Sequence, residues 1–227
     1  MKGVATWSWL LVVWFDTLAG ASHCTKETSF NGTHYDLRAC TFLDLSCPAD
    51  RGHRPHACPN ALLPSELQEA LRALLEADDI TSIDLRGAHL GAVGISTLAP
   101  AFATRPALRS LSLGSCRLGD GGLRAFASAV LTPPAAAATM LQQLDLSHNT
   151  ISDDGVRGLV SAMKGGAGPS LVSLDLSWNA IGSRGGRYLG DALKENSASA
   201  LAELRLAWNG LMDRGARAIG DALGSNQ

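Results

Sequence analysis

Aromatic side chains are scarce, at 5% of the 227 residues. A core packed mainly on rings is thereby excluded, and a chain that is 46% hydrophobic must bury leucine, alanine, isoleucine and valine instead. A surplus of one charge is lacking too: 19 Lys and Arg stand against 21 Asp and Glu, a net charge of −2. That balance removes the basic excess expected of a nucleic-acid binder or of a protein drawn to an acidic membrane. No apolar run reaches the roughly 20 residues that cross a bilayer as a helix, so no stable membrane span is expected. Catalytic signatures are missing as well. The chain has no G-x-x-x-x-G-K-S/T phosphate loop, no H-E-x-x-H helix and no G-x-S-x-G elbow. The reading is therefore of a non-enzyme with no cofactor and no metal site.

Cysteine is nearly absent from the body of the chain. Four of the five lie close together, Cys24, Cys40, Cys47 and Cys58, and only Cys116 falls later. The N-terminus before them reads as a targeting segment, residues 1–21. Lys2 gives a positive start, Trp7 to Phe15 is an apolar run broken by Ser8, and Ala19-Gly20-Ala21 is a small-residue cleavage site, although Asp16 is unusual there. A secreted or extracellular chain would pair the four clustered cysteines in two disulfides of undetermined connectivity. His53 and His56, between Cys47 and Cys58, keep a zinc site open as the rival. In a secreted chain Asn31-Gly32-Thr33 is a glycosylation acceptor at Asn31.

What the sequence does have is a repeat. The pattern L-x-x-L-x-L-x-x-N/C-x-L occurs five times, starting at Ile80, Leu108, Leu141, Leu171 and Leu201, at intervals of 28, 33, 30 and 30 residues. A glycine recurs after each motif, at Gly94, Gly122, Gly155, Gly185 and Gly215. Apolar residues follow it at helical spacing: Leu98 and Phe102, Phe126 and Val130, Leu159 and Met163, Leu189 and Leu193, Ile219 and Leu223. Each unit is thus a short strand, a turn and a helix, and a crossover helix between strands builds a parallel sheet. Asn149, Asn179 and Asn209 sit where the chain leaves the strand, with amides able to satisfy backbone groups exposed by the bend. Cys116 holds that position in its unit and reads as a buried structural thiol; Ala88 holds it in the first unit and cannot make those bonds.

The repeat resembles the ribonuclease-inhibitor-like class of leucine-rich repeats over about residues 62 to 223. The resemblance implies an α/β solenoid, a horseshoe with a concave parallel sheet and convex helices, and a role in binding protein partners. Members of that class are mostly intracellular, which conflicts with the targeting segment, although a single repeat cysteine suits an oxidising compartment. Three segments follow: the signal peptide, a cysteine-containing N-terminal cap over 22–61, and five repeats over 62–227. Ser65 and Gln68 form a capping box before Leu67, Leu71, Leu74 and Leu75, the helix expected to begin the array. The chain stops four residues after Leu223. Either the fifth unit caps itself, the chain self-associates end to end, or the array is truncated.

Two surface columns emerge from the register. Along the helices, Arg124, Arg157, Arg187 and Arg217 share one position, with Asp191 and Asp221 spaced to pair with the last two. On the sheet, one row is Asp84, Ser112, Asp145, Asp175 and Arg205, and the next is Gly87, Ser115, His148, Trp178 and Trp208. Neighbouring strands lie about 4.8 Å apart, so Trp178 and Trp208 should be adjacent. Asp145, His148, Asp175, Trp178, Arg205 and Trp208 are the candidate partner-binding residues, against the plainer reading that the tryptophans cover the sheet edge. Two rival functions remain: a cytosolic small-GTPase activator of the repeat type, and a structural assembly protein.

Overall fold

The computed structural model describes residues 42–44, 80–132, 140–164, 171–195 and 201–225. The targeting segment, Asn31, the four clustered cysteines and the capping-box helix lie outside the described residues. Among those described, no helix is long and apolar enough to cross a membrane.

The chain alternates strand and helix: β1 Phe42–Asp44, β2 Ser82–Asp84, α1 Gly91–Ala103, β3 Ser110–Ser112, α2 Gly119–Val130, β4 Gln143–Asp145, α3 Asp153–Lys164, β5 Ser173–Asp175, α4 Ser183–Glu195, β6 Glu203–Arg205 and α5 Met212–Ser225. The six strands form one sheet in chain order, and every neighbouring pair is parallel. Each helix packs on the next behind the sheet. The strands are short because only three residues separate the two inward motif positions from the flanking bends. Ile83, Leu111, Leu144 and Leu174 stack in one buried row, and Leu85, Leu113, Leu146 and Leu176 in the next. Leu98, Phe126, Leu159 and Leu189 close the core from the helix side.

The conserved spacing of glycine has a steric cause. At Gly155 a Cβ would collide with the Asp120 carboxylate, and at Gly185 it would lie 2.5 Å from Ile181 Cγ2 and 2.7 Å from Asp153 Oδ1. Those carboxylates cap the helix of the next unit. Asp120 accepts from the Ser152 N–H at 2.7 Å and from its hydroxyl at 2.6 Å. Asp153 accepts from the N–H groups of Gly182 and Gly185 at 2.7 and 2.8 Å. The second and third units thereby satisfy N–H donors at the start of the helix that follows each of them.

One strand lies outside the five motif matches, and one expectation needs correction. Strand β1 falls within the segment read as the N-terminal cap and pairs in register with β2, Leu43 beside Ile83. Phe42-Leu43-Asp44-Leu45 carries the inner leucine pair of the motif but Pro48 at its asparagine position, so the full pattern does not match it. The helix ion pairs also differ. Arg157 meets Asp154 at 3.4 Å, one turn towards the N-terminus, and Lys164 reaches Glu195 of the next unit at 2.6 Å. The pairs expected four residues apart, Arg187 with Asp191 and Arg217 with Asp221, do not form. Such contacts on an exposed face contribute little, so the side chains are free to take other rotamers.

Candidate functional site: an aromatic stack at the strand ends

The site begins with the way each strand ends. The aspartate inside the strand accepts from the backbone two residues on: Ser147 N–H to Asp145 at 2.9 Å, and Ser177 N–H to Asp175 at 2.8 Å. The next residue turns the chain, and does so with a left-handed backbone in all five described units: Gly87, Ser115, His148, Trp178 and Trp208 have φ between 56° and 73°. The asparagine that follows holds the bend. Asn149 is fully buried; its Oδ1 accepts from Cys116 and Leu118 at 3.0 and 3.1 Å, and its Nδ2 donates to Leu113 and Leu146 at 2.8 and 3.0 Å. Asn179 does the same for the unit before it, through Asn149, Ile151 and Leu146. Asn209 takes the Ile181 N–H and donates to Leu176. Cys116 substitutes for the donor half alone, its Sγ–H directed at the Leu85 carbonyl at 3.0 Å. Burial pushes this thiol up to about 12, and it is free of any disulfide.

This construction locks the turning residues into a column. The His148 N–H donates to Ser177 at 3.0 Å and the Trp178 N–H to Ala207 at 2.8 Å. Successive side chains at this position are therefore held at strand spacing. The result is a stack of three flat rings. His148 and Trp178 lie 5.0 Å apart, centroid to centroid, at 13°, and Trp178 and Trp208 lie 4.4 Å apart at 16°. Trp178 is 47% exposed and Trp208 70% exposed. The expected adjacency of the two tryptophans is therefore seen, and His148 joins them.

The magnitudes argue that these rings are not needed for the fold. A left-handed backbone costs a bulky residue about 1–2 kcal/mol, while a stacked aromatic pair returns about 0.5–1.5 kcal/mol. The terms roughly cancel, and Gly87 and Ser115 make the same turn without a ring.

Beside the stack run the carboxylates. The register sets Asp145 next to Asp175, and Asp175 next to Arg205. Arg205 reaches Asp175 only at 3.8 Å and instead holds Glu203 at 2.7 Å, a partner not singled out from the sequence. Glu203 also accepts from the Ser173 hydroxyl at 2.9 Å. The bond from Arg205, then that from Ser173, draws the Glu203 carboxyl below its usual range. Asp84, at the other end of the row, is closed off by a bidentate pair with Arg86, Nη2 to Oδ2 at 2.6 Å and Nε to Oδ1 at 3.1 Å. The concave face is thus electrically closed near β2 and open, acidic and aromatic towards β6. Among the described residues no cluster of three or more His, Cys, Asp or Glu side chains could hold a metal ion.

A parallel sheet in chain order, a helix behind every strand from β2 onward and an asparagine ladder across the bends define a leucine-rich-repeat protein. Residues 106–127, 137–160, 169–190 and 200–220 match the family described as Leucine Rich repeat. The chain is 37% identical over 93 residues to Leucine-rich repeat-containing protein 73 of Rattus norvegicus and of Homo sapiens, a match covering 37% of this chain and 29% of each relative. It thus spans less than a third of the curated relatives it matches. Among solved structures, it is similar to the actin-binding site 2 region of leiomodin-1, with a TM-score of 0.58 and 18% identity over 72% of this chain and 91% of that one. It is also similar to the tropomodulin C-terminal domain of Caenorhabditis elegans, with a TM-score of 0.55 and 14% identity over 71% and 93%. At those identities the likeness is one of fold.

Proposed function

We propose that this protein is a secreted protein-binding module whose recognition surface is the His148–Trp178–Trp208 stack with Asp145 and Asp175 beside it. The observation that carries the reading is the exposed ring stack, held on left-handed turns that smaller residues make equally well. Burying exposed aromatic area against a partner is favourable, and Trp is frequent among residues that dominate interfaces. The carboxylates orient a partner with basic side chains, and Arg205, occupied by Glu203, bounds the site at the last strand.

The test replaces each ring by the residue that the second unit uses. Trp178→Ser and Trp208→Ser are expected to weaken partner retention by about 2 kcal/mol or more where the ring is a hot spot, with denaturation midpoints little changed. Variants that unfold early yet retain the partner would make the rings packing residues. Secretion rests on the sequence alone: Lys2, the apolar run and Ala19-Gly20-Ala21. N-terminal sequencing of the expressed protein is expected to show a start after Ala21, and an intact Met1 on a cytosolic product would refute it. The pairing of Cys24, Cys40, Cys47 and Cys58 and a glycan on Asn31 depend on the same export.

A further inference from the structure

The ring column is interrupted inside the array. Its order along the sheet is Gly87, Ser115, His148, Trp178 and Trp208, and all five make the same left-handed turn. From His148 to Trp208 each position carries a ring. At Ser115 the ring is missing, although the backbone ladder runs on through it. The Ser115 N–H donates to the Ser147 carbonyl and the Gly87 N–H to the Gly114 carbonyl, both at 2.9 Å. Trp178 covers one face of the His148 imidazole. The other face looks along the column towards Ser115, whose hydroxymethyl group is too short to cover a ring, and both residues are exposed. The notch over Ser115 has the thickness of one planar group. The stack spaces its members at 4.4 to 5.0 Å, and the vacant position lies one strand further along. Described strands and helices flank it on both sides.

One wall of the notch is charged. Gly114, beside Ser115, has no side chain, and Asp145 leans into the space this leaves. A Cβ at Gly114 would lie 3.1 Å from Asp145 Oδ2 and 3.1 Å from Ser147 Oγ. Asp145 Oδ1 takes the Ser147 N–H at 2.9 Å, which fixes the carboxylate with Oδ2 turned towards the second unit. The Arg86 stem also flanks Gly114, but its guanidinium is held by Asp84. Arg117 stands in the next column, past the buried Cys116.

We propose, resting on the ring stack as the recognition surface, that this notch takes an arginine side chain of the partner, its guanidinium stacked on the open face of His148 over Ser115 and donating to Asp145 Oδ2. The occupant must be flat, to continue the stack. It must carry N–H donors at its edge, because the polar atoms beside Gly114 are a carboxylate and a hydroxyl that can accept. It must be positive, because a neutral ring laid against Asp145 would strip the carboxylate of water without a partner. A guanidinium meets all of these demands and stacks on aromatic faces. An ammonium is compact and strongly hydrated, so it supplies the charge and the donors without the plane.

Titration of the isotope-labelled full chain with N-acetyl-arginine amide, followed by amide NMR shifts, tests it. Saturable shifts are expected at Gly114, Ser115 and His148. The lysine counterpart of the probe is expected to bind about tenfold more weakly, for want of the stacked plane. Ser115→Trp fills the notch with the ring that the column lacks. Trp178 and Trp208 make the same turn, so circular dichroism should be unchanged while the arginine shifts vanish. Asp145→Asn keeps an acceptor for the Ser147 N–H but removes the charge, and is expected to lose most of the binding. No saturable shift in the wild type, equal binding of the lysine probe, or arginine binding that survives either Ser115→Trp or Asp145→Asn would overturn the proposal. Such a failure is separate from failure of the ring stack itself, which is read from partner retention by Trp178→Ser and Trp208→Ser.

Discussion

Asn149 shows how much can depend on one side chain. Its amide serves two N–H groups of the preceding unit and two buried carbonyls, all out of contact with water. Leaving a buried polar group unpaired costs about 1–3 kcal/mol, so Asn149→Ala is expected to lower the denaturation midpoint strongly. Asn179→Ala should follow it, and Asn209→Ala should cost less because the last unit has a described neighbour on one side only. Unchanged midpoints for both Asn149→Ala and Asn179→Ala would mean that the bends are held some other way. Cys116 gives the complementary case. Its thiol is raised from an ordinary 9.0 to about 12, so the folded state favours the protonated form. That contribution is complete below 9.0 and is lost as pH rises towards about 12. In mildly alkaline buffer the native thiol should resist alkylation and react once denaturant is added; rapid labelling of native protein would contradict its burial. Both roles were legible in the sequence because the motif assigns one position to a polar bend residue. The left-handed backbone one residue earlier was not, since Gly87, Ser115, His148, Trp178 and Trp208 share no side-chain chemistry that announces it.

Among the elements, the helices show what propensity cannot. Alanine is a better helix former than glycine by about 1 kcal/mol, yet Gly185→Ala is expected to destabilise. Its Cβ would press on Ile181 and on the Asp153 carboxylate that caps the helix. Gly121→Ala, whose Cβ would meet only Ala92 at 3.8 Å, should instead stabilise by about 0.4–1 kcal/mol. Thermal unfolding of the two variants reads both signs, and a stabilised Gly185→Ala would show that the helices are not packed this closely. Asp153→Ala should lower the stability by about 0.5–2 kcal/mol as a lost cap, with Asp153→Asn recovering part of it. Strands and helix faces could be read from leucine spacing alone. The caps could not, because Asp120 and Ser152 lie in different repeats and no local pattern joins them. Strand β1 was not legible because Pro48 stands where the motif has its bend residue.

As a whole molecule the protein is a one-dimensional stack, in which each unit is supported by its neighbours. The same geometry that builds the core multiplies surface chemistry, since any residue type repeated at one motif position becomes a column at strand spacing. That is why the neighbouring tryptophans and the row of carboxylates were visible before the fold was. The partition of charge was not visible: Asp84 is closed by Arg86 and Arg205 is held by Glu203, which leaves Asp175 with Arg205 only at 3.8 Å. Two columns therefore compete as recognition surfaces, the concave ring stack and the convex arginine ladder. Photo-crosslinking distinguishes them most directly, with a photoreactive residue placed at Trp208 in one protein and at Arg187 in another, each exposed to the same partner-containing fluid. Adducts from the position of Trp208 and none from that of Arg187 are the predicted result; adducts from Arg187 alone would contradict a concave binding site.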